Sequence, residues 1–261
     1  MIEFVDVRRQ YGQKTAVAGL NLTVASGELF AFLGPNGAGK TTTIKMLVGL
    51  LRPTAGHIRV CGFDVGTEAR DARRLLSYVP DEPYLYDKLS GREFLRFIVD
   101  MYGLDPKLGN ERIEREIAAF ELSNFIDDLT ESYSHGMKQR LVFASAMLHD
   151  PAVLVIDEPM VGLDPRTTRL LKDMLRRRAA GGMCIFMSTH ILSMAEQIAD
   201  RVGIVHQGKL RALGTIDELR RDFARQHTAL EDIFLELTSV PADSRPPAEP
   251  ANAAAPGEDP S

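Results

Sequence analysis

The sequence is poor in cysteine and in positive charge, and each shortage excludes a class of protein. Its two cysteines, Cys61 and Cys184, stand far apart and outside any C-x-x-C spacing, so we expect neither a disulfide framework nor a zinc site. The formal net charge of −5 over 261 residues argues against a general nucleic-acid-binding protein, which needs basic residues to neutralise phosphates. These shortages predict a protein of a reducing compartment that has no nucleic-acid partner.

Long hydrophobic runs are missing as well. A membrane-spanning helix needs about 18 or more consecutive apolar residues, whereas the longest apolar runs, such as residues 152–156, are far shorter. Residues 1–9 alternate apolar and charged side chains, which is typical of a strand and unlike the continuous apolar stretch of a signal peptide. If the protein works at a membrane, we expect a separate chain to cross it.

Residues 241–261 have a composition of their own. Six of these 21 residues are proline, six are alanine, and none is large and apolar. Such a segment cannot bury enough apolar surface to offset the entropy that is lost on ordering. We therefore predict a disordered tail here. The chain as a whole has 44% hydrophobic and 26% charged residues, an ordinary composition for a globular protein.

Short apolar runs alternate with helical patterns in the rest of the chain. Residues 29–33 precede a glycine-rich turn and a predicted helix over residues 41–51, and residues 152–156 and 184–188 are further apolar runs. Such runs separated by helices indicate a mainly parallel α/β sheet. Residues 86–149 differ because their apolar spacing is helical throughout, and we expect an all-helical block inserted into the α/β core.

The strongest motif runs from Gly34 to Thr41 and reads GPNGAGKT. This is the full G-x-x-x-x-G-K-S/T pattern, placed between an apolar strand and a helix. The glycines allow a tight loop whose backbone N–H groups form a concave anion site, and the following helix adds its positive end. We expect Lys40 to place its ammonium between the β- and γ-phosphates of a nucleotide, and the Thr41 hydroxyl to bind Mg²⁺.

A second motif is a strand that ends in two acidic residues. Residues 153–156 are apolar and lead into Asp157 and Glu158, which places Asp157 at the carboxyl edge of the sheet, where ligands bind in open α/β folds. There Asp157 can hold a Mg²⁺ shell, and Glu158 can polarise the attacking water as a general base. The guanine-reading Asn-Lys-x-Asp motif is absent, which argues against a GTPase.

A third motif stands before another helix. Residues 133–140 read YSHGMKQR, in which Ser134 is well placed as an N-cap and Gly136 allows a ligand to approach the start of the helix. Taken alone, this is an ordinary capped helix. Its position shortly before Asp157 favours a functional role for this motif.

In this order, the motifs resemble those of the nucleotide-binding subunits of ATP-binding-cassette (ABC) transporters, up to about residue 238. Residues 34–41 correspond to the Walker A loop, and the acidic pair after the strand closes Walker B. Residues 133–137 look like the signature sequence, usually Leu-Ser-Gly-Gly-Gln, with three of its five positions altered. Residues 162–165, which read GLDP, match the D-loop.

The resemblance implies which residues surround a bound ATP. Tyr11 would stack on adenine, and the signature serine and glycine would approach the γ-phosphate. His190 matches the switch histidine that contacts the γ-phosphate, and it joins Lys40 and Glu158 as an expected catalytic residue. The residues expected at the nucleotide are Tyr11, Gly34, Pro35, Asn36, Gly37, Ala38, Gly39, Lys40, Thr41, Thr42, Ser134, Gly136 and Asp164.

One position departs from the family. After the strand at residues 76–80, the family commonly has a glutamine that reaches the Mg²⁺ and the water, whereas this chain has Asp81 followed by Glu82. A carboxylate also binds a hard cation. We therefore include Asp81 with Thr41 and Asp157 as expected metal ligands.

The resemblance also implies an architecture. It is a P-loop NTPase core with a mainly parallel sheet, an N-terminal antiparallel β region and an inserted all-helical signature subdomain. The expected division is a core at residues 1–85 and 150–215, a helical subdomain at 86–149, a C-terminal helical extension at 216–240 and the tail at 241–261.

The implied function is a Mg²⁺-dependent ATPase that powers transport across a membrane. Two nucleotide-binding subunits, identical or different, would form a head-to-tail dimer in which Ser134 serves the ATP of the opposite subunit. Residues 86–93, 136–140 and 230–237 resemble the ABC-2-type exporters, which include drug, antibiotic-resistance and sodium-extrusion systems with a permease on a separate chain. We expect a cytoplasmic protein that is peripheral on the cytoplasmic face of the cell membrane.

Two other classes of protein also contain a P-loop of this kind. A soluble ABC ATPase that remodels a ribosome or DNA stays open as the alternative, although the tandem cassettes or long coiled coils usual in such proteins are not found in this sequence. A P-loop small-molecule kinase is disfavoured by the signature helix and His190. The transported substrate depends on the permease and is not predicted.

Overall fold

A computed structural model of the protein describes residues 1–223 and 230–239, which form two β-sheets and the surrounding helices. The strands of this part of the chain are β1 (Ile2–Tyr11), β2 (Lys14–Val24), β3 (Leu29–Leu33), β4 (Ala55–Val60), β5 (Phe63–Asp64), β6 (Leu76–Val79), β7 (Val153–Asp157), β8 (Cys184–Thr189), β9 (Arg201–His206) and β10 (Lys209–Gly214). The helices are α1 (Lys40–Leu47), α2 (Ala69–Arg74), α3 (Gly91–Met101), α4 (Pro106–Ala119), α5 (His135–Met147), α6 (Pro165–Ala180), α7 (Leu192–Ile198), α8 (Ile216–Asp222) and α9 (Leu230–Ser239), with a 3₁₀-helix at Thr130–Ser132. The tail predicted at 241–261 lies outside the described residues.

The N-terminal sheet is antiparallel, with the strand order β2-β1-β4-β5. The predicted alternation buries Ile2 and Phe4 and exposes Glu3. The register then shifts before Val7, and Asp6 takes a left-handed φ of 45°. Because of this bulge Val7 is buried again, and it packs in the same cluster as Ile2 and Phe4.

The larger sheet has the strand order β10-β9-β3-β8-β7-β6. It is parallel from β9 to β6, and β10 pairs antiparallel at one edge. Strands β3, β7 and β8 are buried along their whole length, which explains why they read as continuous apolar runs. The predicted fold class, a mainly parallel α/β core with an antiparallel N-terminal region, is confirmed.

Strand β3 contributes to two hydrophobic clusters, one on each face of the larger sheet. Phe30 and Phe32 pack with the N-terminal sheet and α1, and their ring centroids lie 5.6 and 5.4 Å from that of Phe186. Leu29 and Leu33 belong to the other cluster, which contains most of the helices. Burial on both faces stabilises this strand, so the loop that follows it starts from a fixed position.

Helix α1 ends at Leu47, earlier than the predicted limit of residue 51. Gly49 follows with a φ of 75°, and the backbone N–H groups of Leu50 and Leu51 both donate to the carbonyl of Lys45. A left-handed glycine after the last turn is a common way to end a helix. The sequence contained this signal, and the prediction overlooked it.

The block at residues 86–149 is not helical throughout, which corrects the prediction. Helices α3, α4 and α5 are present, but residues 120–134 form turns and the 3₁₀-helix. Hydrogen bonds to a distant segment replace helical ones: the N–H of Thr130 donates to the carbonyl of Leu89, and its hydroxyl donates to the carbonyl of Tyr86. Such long-range partners cannot be read from apolar spacing.

The boundaries expected between core, helical subdomain and C-terminal extension stay predictions. Helices α8 and α9 lie in the expected extension, and α9 buries Leu230, Ile233 and Leu237. Within residues 1–223 and 230–239, none of the helices combines the length and the apolar character that a membrane span requires.

Candidate functional site

The carboxyl ends of β3, β7 and β8 meet at one edge of the larger sheet, because these three strands are parallel neighbours in the order β3-β8-β7. The chain leaving β3 carries the glycine-rich loop, β7 ends in Asp157, and His190 follows β8. Lys40, Asp157, Glu158 and His190 form what we call the edge group. Open α/β sheets bind ligands at this edge.

The glycine-rich loop is pressed against neighbouring backbone. A Cβ on Gly39 would lie 2.4 Å from the carbonyl oxygen of Ala16, and one on Gly34 would lie 2.5 Å from that of Val205. Gly39 also has a φ of 107° and stands at the N-cap of α1 without a side-chain cap. Glycine is therefore required at both positions, and the start of α1 keeps its positive end for an anion.

Lys40 is almost fully buried, at 6% exposure. Its Nζ donates to the carbonyl oxygen of Gly34 over 2.7 Å and lies 3.4 Å from Oε1 of Glu158. Burial of an ammonium group is costly unless it is paired. These contacts hold the cation at the mouth of the loop, beside the carboxylate predicted to be the general base.

Asp157 is buried at 1% exposure, and only one of its two carboxylate oxygens accepts a hydrogen bond. The Ser188 hydroxyl donates to its Oδ1, whereas its Oδ2 has no hydrogen-bond partner. Burial raises the pKa of Asp157, and the hydroxyls of Ser188 and Thr41 act in the opposite direction. An unpartnered carboxylate oxygen near a threonine hydroxyl suits Mg²⁺, which binds one or two protein oxygens together with substrate phosphates.

Glu158 links Lys40, at the end of the glycine-rich loop, to His190, which follows β8. Its Oε2 lies 2.9 Å from Nδ1 of His190 and also accepts the backbone N–H of His190 over 3.3 Å. Its own N–H donates to the carbonyl of Ser188, and its φ is 47°, a left-handed conformation for a non-glycine residue. Such strained residues concentrate at functional sites. Together with the ion pair to Lys40, these bonds fix the direction of the carboxylate.

Asp81 follows β6, next to β7 in the sheet. The residue is exposed, and its Oδ1 accepts the backbone N–H of Glu82 over 3.0 Å. Its charge is close enough to Asp157 to contribute to the raised pKa of that carboxyl group. Asp81 therefore lies near the edge group, and its role as a metal ligand stays a prediction.

A second set of predicted residues lies around the start of α5. Ser134, Gly136 and Asp164 form what we call the loop group. Ser134 is exposed, and its Oγ accepts the N–H of Met137 over 3.3 Å as the N-cap of α5. A Cβ on Gly136 would lie 3.5 Å from Oδ2 of Asp164, so the predicted signature and D-loop segments are in contact. Asp164 caps α6, and its hydrogen bonds with Thr167 lower its pKa.

The edge group and the loop group are separate in a single chain. Among residues 1–223 and 230–239, no hydrogen bond or ion pair joins Ser134 or Asp164 to Lys40, Asp157 or Glu158. Tyr11 lies at the end of β1 and is 47% exposed. The ring is open to solvent, and its role toward adenine stays a prediction.

Sequence reasoning missed several residues that support the site. Ser188 orients Asp157, and no motif marks it, because the contact depends on β7 and β8 being neighbours. The turn between β9 and β10 supports the glycine-rich loop, since the N–H of Gly208 donates to the carbonyl of Ala38. His135, to which no role was assigned, has Nε2 3.2 Å from the carbonyl oxygen of Val161, before the D-loop.

This fold and this edge define a P-loop nucleotide-binding protein. The comparisons with known proteins agree: residues 17–161 match the ABC transporter family. A solved structure described as the ATP-binding subunit of an ABC transporter has 34% identity and a TM-score of 0.85, and covers 91% of this chain and 99% of its own. The chain therefore belongs to the ABC transporter family.

Many relatives are similar in sequence. The probable multidrug ABC transporter ATP-binding protein YbhF of Escherichia coli is 37% identical over 91% of this chain. This chain spans only 41% of the length of that relative. The Nod factor export ATP-binding protein I of Burkholderia lata is 39% identical over 82% of this chain and 70% of its own length.

Proposed function

We propose that this protein is the ATP-hydrolysing subunit of a membrane exporter, and that ATP drives two such subunits into a head-to-tail dimer. The observation that carries the proposal is the position of Glu158. One carboxylate contacts the lysine of the phosphate loop, at 3.4 Å, and the histidine that follows β8, at 2.9 Å. A base held between a phosphate-binding cation and a second polar group is suited to activate water for attack on a phosphate.

The residues of the edge group would divide the work of hydrolysis. The loop N–H groups and Lys40 bind the phosphates, and Glu158 accepts a proton from the attacking water. A bond forms between that water oxygen and the γ-phosphorus while the bond to the β–γ bridging oxygen breaks, which gives ADP and phosphate. His190 holds the Glu158 carboxylate in place. Asp157, Thr41 and Asp81 would hold Mg²⁺, which would neutralise phosphate charge.

Assembly of the complete site would need a second subunit. Ser134 and Gly136 stand at the start of α5, away from the contacts of the edge group, and Ser134 is exposed. The start of a helix is a natural anion site. A head-to-tail arrangement brings this helix start of one chain to the phosphates bound by the other, so that neither chain alone has a complete site.

Coupling to a membrane partner would involve the helical block and the segment just before it. Tyr84, Tyr86 and Phe97 form an exposed aromatic group, with ring centroids 6.0 Å apart for the two tyrosines and 5.4 Å apart for Tyr86 and Phe97. Clustered exposed apolar side chains mark interaction surfaces. The name of the Nod factor export relative supports transport out of the cell. The permease would be a separate chain and this subunit would lie on the cytoplasmic face.

The domain division of this subunit is part of the proposal. The core would comprise residues 1–85 and 150–215, the helical subdomain residues 86–149, and the extension residues 216–240. The contacts of Thr130 with Tyr86 and Leu89 lie within the proposed helical subdomain, which supports its treatment as one unit.

The concentration dependence of ATP hydrolysis tests the dimer. If Ser134 serves the partner's nucleotide, the specific activity should rise with protein concentration while the dimer is weak. Ser134→Arg should abolish turnover and leave nucleotide binding to the monomer intact, whereas Ser132→Arg, two residues away and also exposed, should retain activity. A constant specific activity in protein that sedimentation shows to be monomeric would contradict the proposal.

A further inference from the structure

The end of β1 contains a contact between a cation and an aromatic ring. Arg9 and Tyr11 stand two positions apart on a strand and therefore lie on the same face. The guanidinium carbon of Arg9 lies 4.6 Å from the ring centroid of Tyr11. Contacts within about 6 Å stabilise the pair through the charge distribution of the ring.

A hydrogen bond to the backbone also holds the guanidinium of Arg9 in place. Its Nη1 donates to the carbonyl oxygen of Arg52 over 3.0 Å, and its Nε is buried without a hydrogen-bond partner. In the described part of the chain, no carboxylate lies within ion-pair distance of Arg9. The guanidinium thus has two partners, the Tyr11 ring and the carbonyl of Arg52, and the carbonyl fixes where the guanidinium lies.

Arg8, the neighbouring residue, shows a different arrangement. It lies on the opposite face of the strand, and its Nη2 is 3.1 Å from Oδ1 of Asp6. Both ends of that ion pair are more than half exposed. The two arginines thus carry the same charge at nearly the same place, but only Arg9 contacts Tyr11.

We propose that Arg9 is a positioning residue for adenine: it covers one face of the Tyr11 ring and holds the ring so that adenine stacks on the opposite face. This inference rests on the proposed function and on the prediction, implied by the family resemblance, that adenine stacks on Tyr11. A ring that is fixed before the base arrives loses less conformational entropy on binding. Stacking on aromatic side chains accepts any base face, so the orientation of the ring decides how well the base fits.

Binding of two probes separates the base from the phosphates. ADP contains adenine and a diphosphate, whereas inorganic pyrophosphate contains the diphosphate alone, and neither offers a γ-phosphate for hydrolysis. With titration calorimetry on the full chain, Tyr11→Ala should raise the Kd for ADP by about tenfold. Arg9→Gln should raise it by about two- to fivefold. Neither change should alter the Kd for pyrophosphate.

Arg8→Gln is the matched control, because it removes the same charge one residue away. It should leave the Kd for ADP unchanged. A double-mutant cycle then separates positioning from a general effect on the strand. In the Tyr11→Ala background, Arg9→Gln should have no further effect on ADP binding, since the ring through which Arg9 acts is absent.

Four results would overturn the inference. Arg9→Gln could match Arg8→Gln, it could weaken pyrophosphate and ADP equally, or it could tighten ADP binding, which would mean that Arg9 competes with adenine for the ring. If Tyr11→Ala itself leaves ADP binding unchanged, the platform role is wrong and the inference fails with it. A loss with Tyr11→Ala but none with Arg9→Gln removes the inference and leaves the platform in place.

Discussion

The edge group and the loop group differ in how complete they are within one chain. In the edge group, Glu158 contacts both Lys40 and His190, and Asp157 precedes Glu158 at the end of β7. Lys40 and Asp157 are almost fully buried. Ser134 is exposed and bonds only within the first turn of its own helix among the contacts of the described residues. Packing of one chain is enough to assemble the edge group, whereas the loop group presents a helix start outward.

The largest expected effect comes from removing the base of the edge group. Glu158→Gln keeps the shape of the side chain and removes the carboxylate that polarises water. Phosphate release should fall by roughly 10²–10⁴-fold while ATP binding persists. The variant should then accumulate as an ATP-bound dimer on gel filtration, because ATP still drives dimerisation but is no longer hydrolysed.

Glu131→Gln, at an exposed glutamate outside both groups, is the control for this experiment and should retain wild-type turnover. A Glu158→Gln protein that hydrolyses ATP at the wild-type rate would remove Glu158 from the role of base. The edge group would then have no identified base, although the contacts that join its residues would remain.

A moderate effect is expected at Asp81, which lies near the edge group without a contact to it. If its carboxylate enters the metal shell, Asp81→Asn should raise by several-fold the Mg²⁺ concentration needed for half-maximal hydrolysis. Asp81→Gln would restore the residue that the family commonly has. Glu82→Gln, at the next position and also exposed, is the matched control. Equal Mg²⁺ titrations for all four proteins would exclude Asp81 as a ligand.

A smaller effect is expected on stability at Asp157. Burial raises the pKa of this carboxyl group above its ordinary value of 3.8. The folded state therefore binds this proton more tightly than the unfolded state, and the stability gained from it is present at low pH and lost as pH rises through the raised pKa. At neutral pH the buried charge opposes folding of the nucleotide-free protein.

Asp157→Asn should consequently raise Tm at neutral pH by a few degrees, since about 1 kcal/mol corresponds to roughly 2–4 °C in a domain of this size. The gain should shrink toward about pH 4, near the ordinary pKa, and the variant should lose Mg²⁺-dependent hydrolysis. Asp100→Asn, on an exposed face of α3, is the control. A lower Tm for Asp157→Asn at neutral pH would show that the carboxylate stabilises the fold.

The parts of the fold that could be predicted are those encoded by local pattern. Residues 29–33 are apolar because β3 is buried on both faces, and the glycines that follow are required by close backbone contacts. These signals need no knowledge of the rest of the chain. The early end of α1 at Leu47 was also encoded locally, by Gly49, and was overlooked.

The parts that could not be predicted depend on which segments are neighbours. Ser188 orients Asp157 only because β8 lies beside β7, and Glu158 meets His190 for the same reason. Residues 120–134 leave the helical pattern because their backbone bonds to the segment before α3. One sequence gives the strands and does not give their order in the sheet.

Mixing two inactive variants tests most directly whether a complete site combines the edge group of one chain with the loop group of another. Ser134→Arg leaves the edge group intact, and Glu158→Gln leaves the loop group intact, so a mixed head-to-tail dimer contains one complete site. Random pairing of equal amounts makes about half the dimers mixed, so hydrolysis should recover to at most roughly a quarter of the wild-type rate. A mixture no more active than the sum of the two separate variants would contradict the sharing of sites between chains.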